Sequence, residues 1–340
     1  MASMTTSGPG EGNDAATQRE RHLGLLDIEI AGVAADPTAL IRASEHALTA
    51  ARWAVKTDEQ DRRVVALLRL TAELTNAAAV SSASTEPGQQ EIRGALVVLP
   101  PGLARDGLTT RRWIDGLWAA TAAGDASTAR RLARLDLSVY RQDTVPGEFE
   151  MTQAMAAWWR SEEIGPFLIA ALERSDPDSL APDDIDFSLD VIAPTVAFFR
   201  RLADRDDAAL NQSLIEASAA FAEYWSRAGA NDPCSALSLP LSGLSRVAVE
   251  LGRVIRAIPG AVPPAILESS GPVLCCPVCD QPFGDAEISC SWCGTDLTVD
   301  APLEVSLDQL LEDPGQSCPH CGQTCPRTAL RCWNCGTTLF

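Results

Sequence analysis

Histidine and lysine are nearly missing from this 340-residue chain, and its first 270 residues hold a single cysteine. The three histidines, His22, His46 and His320, are scattered. Local spacing therefore assembles no imidazole base and no His-rich metal site. No glycine-rich phosphate loop appears. No apolar run approaches the roughly 18 to 20 residues that cross a bilayer; the stretches at 94–99 and 257–267 are short or broken by proline. The opening, MASMTTSGPGEGNDAATQRE, lacks the basic start and apolar core of a secretory signal, and residues 1–35 read as a disordered lead. These absences give the expectation of a cytoplasmic protein with no membrane partner.

Positive charge is also in deficit. Against 46 acidic side chains stand 27 basic ones, of which Lys56 is the one lysine, and the formal net charge is −19. Such a field repels nucleic-acid and membrane phosphates and favours a basic protein partner. Solubility alone is the plainer reading of the same charge.

What the chain does have is concentrated at its end. Ten of its eleven cysteines follow residue 274. Cys276-x2-Cys279-x10-Cys290-x2-Cys293 recurs 42 residues later as Cys318-x2-Cys321-x10-Cys332-x2-Cys335. CPVC matches CPHC, Gln281 matches Gln323, and CGTDL matches CGTTL. Each unit is too short to bury a core of its own. Four thiolates on one Zn²⁺ ion replace that core, because metal binding then supplies the folding free energy. Gly294, Gly322 and Gly336 follow the second cysteine of three pairs, where a left-handed backbone is commonly needed, and Asp280 takes the fourth such position. The eight cysteines read as ligands of two structural zinc ions.

Cys275 and Cys325 have no counterpart in the opposite repeat and read as spectators; Cys234 reads as a plain buried thiol, and His320 as solvent-facing. A closed four-cysteine shell leaves no open position for catalysis. Iron and redox-linked zinc release are the weaker alternatives. Trp292, Trp333, Arg327 and Arg331 invite a nucleic-acid reading, but residues 272–340 carry nine acidic against two basic side chains. The electrostatic footprint for nucleic acid is missing. The segment resembles a tandem zinc ribbon used for protein docking or stability, with ribbons at 275–298 and 317–340. A spacer at 299–316 holds a short helix, and a proline-rich linker at 257–274 precedes the first ribbon.

Residues 36–256 have helical periodicity. Asp36-Pro37 opens a helix carrying Leu40, Ile41, Ala47, Leu48 and Ala51. A second follows Asp58 with Val64, Leu67, Leu68, Thr71 and Leu74 on one face. QQEIRGALVVLPPG breaks the pattern and reads as extended. Thr109 or Thr110 caps a helix with Trp113, Leu117 and Trp118, which stops at Gly124, and Asp125 starts its partner. Further helices are expected over 148–160, 162–174, 190–203, 207–228 and 238–251. The last is capped by Ser238 and striped through Leu241, Leu244, Ala248 and Leu251; Leu210, Leu214, Ala217, Phe221 and Tyr224 read as core. Asp183, Asp184 and Asp186 read as solvated surface, with cation binding the lesser alternative. No catalytic grouping can be named, and the body reads as a non-enzymatic binding module. The fold class is mainly α, a helical-hairpin bundle followed by two small zinc ribbons. Each ribbon uses four cysteines on β-hairpin knuckles.

Phe198-Phe199-Arg200, Tyr224-Trp225 and Leu239-Pro240-Leu241 follow one another as an aromatic pair with arginine, an aromatic–Trp helix end and a Leu-Pro-Leu helix start. In this order they resemble the C-terminal half of the immunity protein 49 family, and LTTRRWIDGLWAATAAGD and Trp158-Trp159 occupy matching places upstream. The resemblance implies an all-helical bacterial protein that binds and neutralises a cognate polymorphic toxin. The cysteine-rich tail departs from the usual family pattern. It keeps open a second reading, a regulatory adaptor whose ribbons recruit a cellular machine.

Overall fold

A computed structural model describes residues 11–268, apart from 85, 94, 100, 102–108, 141–142, 205, 230, 257 and 259, together with 316–317 and 324–325. The chain divides into two compact units, Met1–Asp285 and Ala286–Phe340.

The first unit is helical, and its consecutive helices pack as neighbours. Helix α1 (Glu11–Gly32) lies on α2 (Ala39–Thr57), α2 on α3 (Arg63–Ala83), and α3 on α4 (Thr110–Ala122). Short connections leave α1, α2 and α3 little choice of partner. A hairpin of β1 (Gly88–Ile92) and β2 (Ala95–Leu99) separates α3 from α4, in antiparallel register from Gly88 opposite Leu99 to Ile92 opposite Ala95. It occupies the stretch expected to be extended. Then come α5 (Ala126–Leu132), α6 (Glu148–Arg160), α7 (Gly165–Arg174), α8 (Pro182–Phe187), α9 (Ala193–Arg201), α10 (Asp207–Ala228), α11 (Leu239–Glu250) and α12 (Pro264–Glu268).

Several helix starts are set by side chains that satisfy orphan amides. Thr109 accepts from the Arg112 amide, Asp125 from Thr128, Asp206 from Ala208 and Ala209, and Ser238 from Leu241. Before α2, Asp36 Oδ1 accepts from the Thr38 amide at 2.9 Å and from the Thr38 hydroxyl at 2.6 Å. Those bonds, with the Arg42 guanidinium, hold the Asp36 carboxyl down at about 2.

Helix α4 is the centre of the unit. It is buried on nearly every side because α3, α5, α6 and α11 surround it. Two glycines let backbones approach there. A Cβ on Gly116 would stand 2.6 Å from the Thr75 methyl of α3, and one on Gly243 of α11 would stand 3.0 Å from the Trp118 ring. The buried indoles keep hydrogen bonds: Trp113 donates to the Leu132 carbonyl at 2.9 Å, and Trp118 to the Thr152 hydroxyl at 2.9 Å. Phe198 and Phe199 of α9 are fully buried, as are Leu239 and Leu241 within a few per cent.

Four expectations need correction. Residues 1–35 are not all a disordered lead, since α1 spans Glu11–Gly32 with Leu26 and the following Val33 fully buried. The proline-rich linker is core as far as α12: Ala261, Val262, Ala265 and Ile266 are buried, and the Ala261 carbonyl accepts from the Ser238 amide at 3.0 Å. The 190–203 helix starts earlier than expected: helix α8 (Pro182–Phe187), whose acidic side chains stay on the surface, continues through a π turn (Ser188–Ile192) into α9. Leu251, expected on the apolar stripe of α11, is 49% exposed.

Helix α3 is long and apolar enough to cross a membrane by length and composition, but 83% of its most apolar window is buried inside this unit. In the second unit a short antiparallel pair, β3 (Gln316–Ser317) and β4 (Thr324–Cys325), matches Gln316 with Cys325 and Ser317 with Thr324.

Candidate binding cavity

A cavity of about 350 Å³ opens in the helical unit. Its walls come from α2, α4, α6, α8, α10 and the start of α11, joined by the 3-10 turn Pro233–Ala236. No single stretch of sequence contains more than a corner of it.

The polar floor is built on α4 and α6. Arg111 Nη1 donates to both Glu148 carboxylate oxygens, at 2.7 and 2.9 Å, and Arg111 Nε lies 3.7 Å from Asp115. Asp143 fixes the start of α4, accepting from the Arg111 amide at 2.9 Å and from the Thr110 hydroxyl at 3.2 Å. The Glu148 side chain is 6% exposed, that of Arg111 38%. Burial lifts the Glu148 carboxyl above its usual range, and Arg111 opposes that rise. Asp115 and then Glu148 hold the Arg111 charge in place.

Arg52, from α2, reaches the same cavity and has no carboxylate partner among the described residues. Cys234 lines the same cavity: burial pushes the thiol up to about 11, and the Arg52 charge works against that shift. Cys234 is half-buried in the cavity wall, where sequence reading expected a plain buried thiol. Thiolate is scarce at neutral pH, and no histidine lines the cavity among the described residues. The arrangement is suited to holding a ligand; it does not activate a nucleophile.

The opposite wall is aromatic. Phe187 of α8 meets Tyr224 of α10 edge to face at 5.4 Å between centroids, and Tyr224 meets Trp225 at 5.3 Å. Tyr224 is half-buried, a lining residue more than a core one. Burial raises its phenol above the usual value. The Trp225 indole nitrogen is buried with no hydrogen-bond partner among the described residues, as is Arg52 Nε. Asp183 and Asp184 line the same side, whereas Asp186 turns toward Arg227 at 4.0 Å. Among the described residues, no group of three or more His, Cys, Asp or Glu side chains is arranged to hold a metal ion.

A second polar pair lies apart from the cavity lining. His22 Nδ1 of α1 and His46 Nδ1 of α2 are 3.2 Å apart. Burial is the first cause that lowers both imidazoles; His46 and Arg21 add to it at His22.

The eight cysteines expected to bind zinc (Cys276, Cys279, Cys290, Cys293, Cys318, Cys321, Cys332 and Cys335) lie outside the described residues, as does the spectator Cys275. The β3–β4 pair brackets Cys318 and Cys321, and Cys325 itself sits in β4.

The sequence model of the immunity protein 49 family matches residues 41–259, which span α2 to α11 and carry every described lining residue of the cavity. No curated protein and no solved structure matches the chain. The match covers more than half of the sequence, so the chain belongs to the immunity protein 49 family.

Proposed function

We propose that this protein neutralises a basic polymorphic toxin by binding it, and that two zinc ions fold its C-terminal ribbons. The family match over residues 41–259 carries the first part, because a toxin-neutralising role comes with that family. The net charge of −19 supports a basic partner: opposite fields steer encounter and slow association when salt screens them. The cavity supports binding over chemistry, since its charged floor is paired, its thiol is protonated and its far wall is aromatic.

The zinc part rests on the repeated cysteine spacing, with the short ladder at 316–317 and 324–325 in its support. Such a ladder closes over six residues that include Cys318 and Cys321, a geometry that fits a knuckle directing two sulfurs at one ion. Cys276, Cys279, Cys290 and Cys293 would hold one ion, and Cys318, Cys321, Cys332 and Cys335 the other. The metals would supply folding free energy and no reaction step. Docking or stability is then the task of the ribbons.

The test is protection. The full chain, expressed with the toxin encoded beside it, should rescue growth against that toxin and against no unrelated one. Failure to rescue, with the toxin shown to be active, would remove the immunity reading.

A further inference from the structure

The aromatic side of the cavity carries unspent negative charge. On α8, Asp183 and Asp184 stand four and three residues before Phe187, so all three share one helix face. Phe187 meets Tyr224 of α10, and Trp225 lines the same cavity beside Tyr224. Asp190, farther along the same segment, pairs with Arg227, and Asp186 lies within 4.0 Å of it. The carboxylates of Asp183 and Asp184 have no ion-pair or hydrogen-bond partner among the described residues.

The charge of the whole lining points the same way. Asp115, Glu148, Asp183 and Asp184 share the lining with Arg52 and Arg111; Arg111 is already divided between Glu148 and Asp115, and Arg112, outside the lining, lies 4.0 Å from Asp115 alone among the four. Four carboxylates against two guanidinium groups disfavour an anion. An apolar occupant would strip water from Asp183 and Asp184 with nothing in return. A cation gains on both counts, because aromatic faces and carboxylates attract it together. Arg52 and Arg111 come from α2 and α4, whereas Asp183 and Asp184 come from α8, which leaves the α8 side as the place for the positive group.

We propose that the cavity receives a lysine or arginine side chain of the toxin, with its charged end between the Asp183 and Asp184 carboxylates and the rings of Phe187, Tyr224 and Trp225. This rests on the immunity reading and names the chemistry of its anchor. A cavity of about 350 Å³ has room for one such long side chain and the backbone that delivers it.

The test uses the full chain and four small probes. N-acetyl-arginine methylamide and N-acetyl-lysine methylamide carry the cation; the glutamine and glutamate analogues are neutral and anionic. Binding is followed by the Trp225 indole resonance, assigned through Trp225→Phe. At least one cationic probe should shift that resonance and bind at least tenfold more tightly than the glutamine analogue. Asp183→Asn/Asp184→Asn should abolish that preference and Tyr224→Leu should weaken it, with unchanged helical circular dichroism in the Asn pair. Neutral or anionic probes that bind as well as the cations would overturn the proposal, as would a double variant that binds like the parent. Protection separates the two ideas. A double variant that still rescues cells as the parent does would sink the anchor and leave immunity standing, whereas a parent chain that rescues against no toxin would sink the immunity reading itself.

Discussion

Arg111 grips Glu148 through two hydrogen bonds of 2.7 and 2.9 Å at the floor of the cavity, yet the two side chains are unequally buried, 38% against 6% exposed. That inequality predicts unequal mutants. Arg111→Met strands a buried carboxylate next to Asp115, and loss of one partner of a buried pair costs about 3–5 kcal/mol. Glu148→Gln leaves Arg111 with Asp115 and solvent, so it should cost less than half as much. The Arg111→Met penalty should shrink as pH falls, because the stranded carboxyl, already raised by burial, takes up a proton. Urea melts of both variants at neutral and mildly acidic pH check the order and the trend.

The α3–α4–α11 contact predicts a different kind of loss. Gly116→Ala places a methyl against Thr75, and Gly243→Ala places one against Trp118 and Thr121. Overpacking of this kind costs about 1–3 kcal/mol. The Gly116 variant should be the worse, since its Cβ would meet three Thr75 side-chain atoms at 2.6–2.9 Å, where 3.0 Å is the closest approach at Gly243. Thermal melts that show both variants as stable as the parent would contradict the close approach.

Much of this packing is legible in the sequence, and the reasons are local. Thr109, Asp125 and Ser238 announce helix starts because a side-chain acceptor beside orphan amides is a short-range signal. The α1 helix is not announced, because its apolar side chains do not keep to one face: Leu26 is fully buried while Ile28 is 67% exposed. Helix α12 hides behind a proline-rich stretch that reads as a linker, although Pro264 at its first position suits a helix start and Val262 and Ile266 are buried in the core. The cavity is invisible to any window, since Arg52, Arg111, Glu148, Asp184 and Tyr224 meet only after six helices have packed. The aromatic and Leu-Pro-Leu pairs that carry the family resemblance are legible, but they serve in two ways. Phe198 and Phe199 fill the core, and Tyr224 and Trp225 line the cavity.

The His22–His46 contact should make the α1–α2 contact sensitive to acid. A hydrogen bond between the two Nδ1 atoms needs one neutral imidazole, and both pKa values are lowered from 6.5, first by burial. The unfolded chain therefore binds protons before the folded one, so stability falls as pH drops below about 6.5. Arg21 and Arg42 add to this, and Glu29 opposes it at His46. The melting temperature should decline between about pH 7.5 and 5.5, and less steeply in His22→Gln/His46→Gln. Equal slopes would show that other groups set the acid sensitivity.

Metal content tests the tail. Native mass spectrometry of the purified chain should find two zinc ions. Cys276→Ser/Cys279→Ser and Cys318→Ser/Cys321→Ser should each retain one, while Cys275→Ser and Cys325→Ser keep both. A single ion in the parent, or iron in protein taken from its native host, would overturn the assignment.

Growth rescue by the full chain against the toxin encoded beside it decides whether the helical body is an immunity module. Survival is expected with that toxin and death with unrelated toxins, and the complex of the two proteins should assemble more slowly as salt rises. Death with the neighbouring toxin, together with recovery of one common partner by the full chain and by a Phe198→Asp/Phe199→Asp chain whose helical body has lost its packing, would contradict the immunity reading and leave the ribbons as the working part.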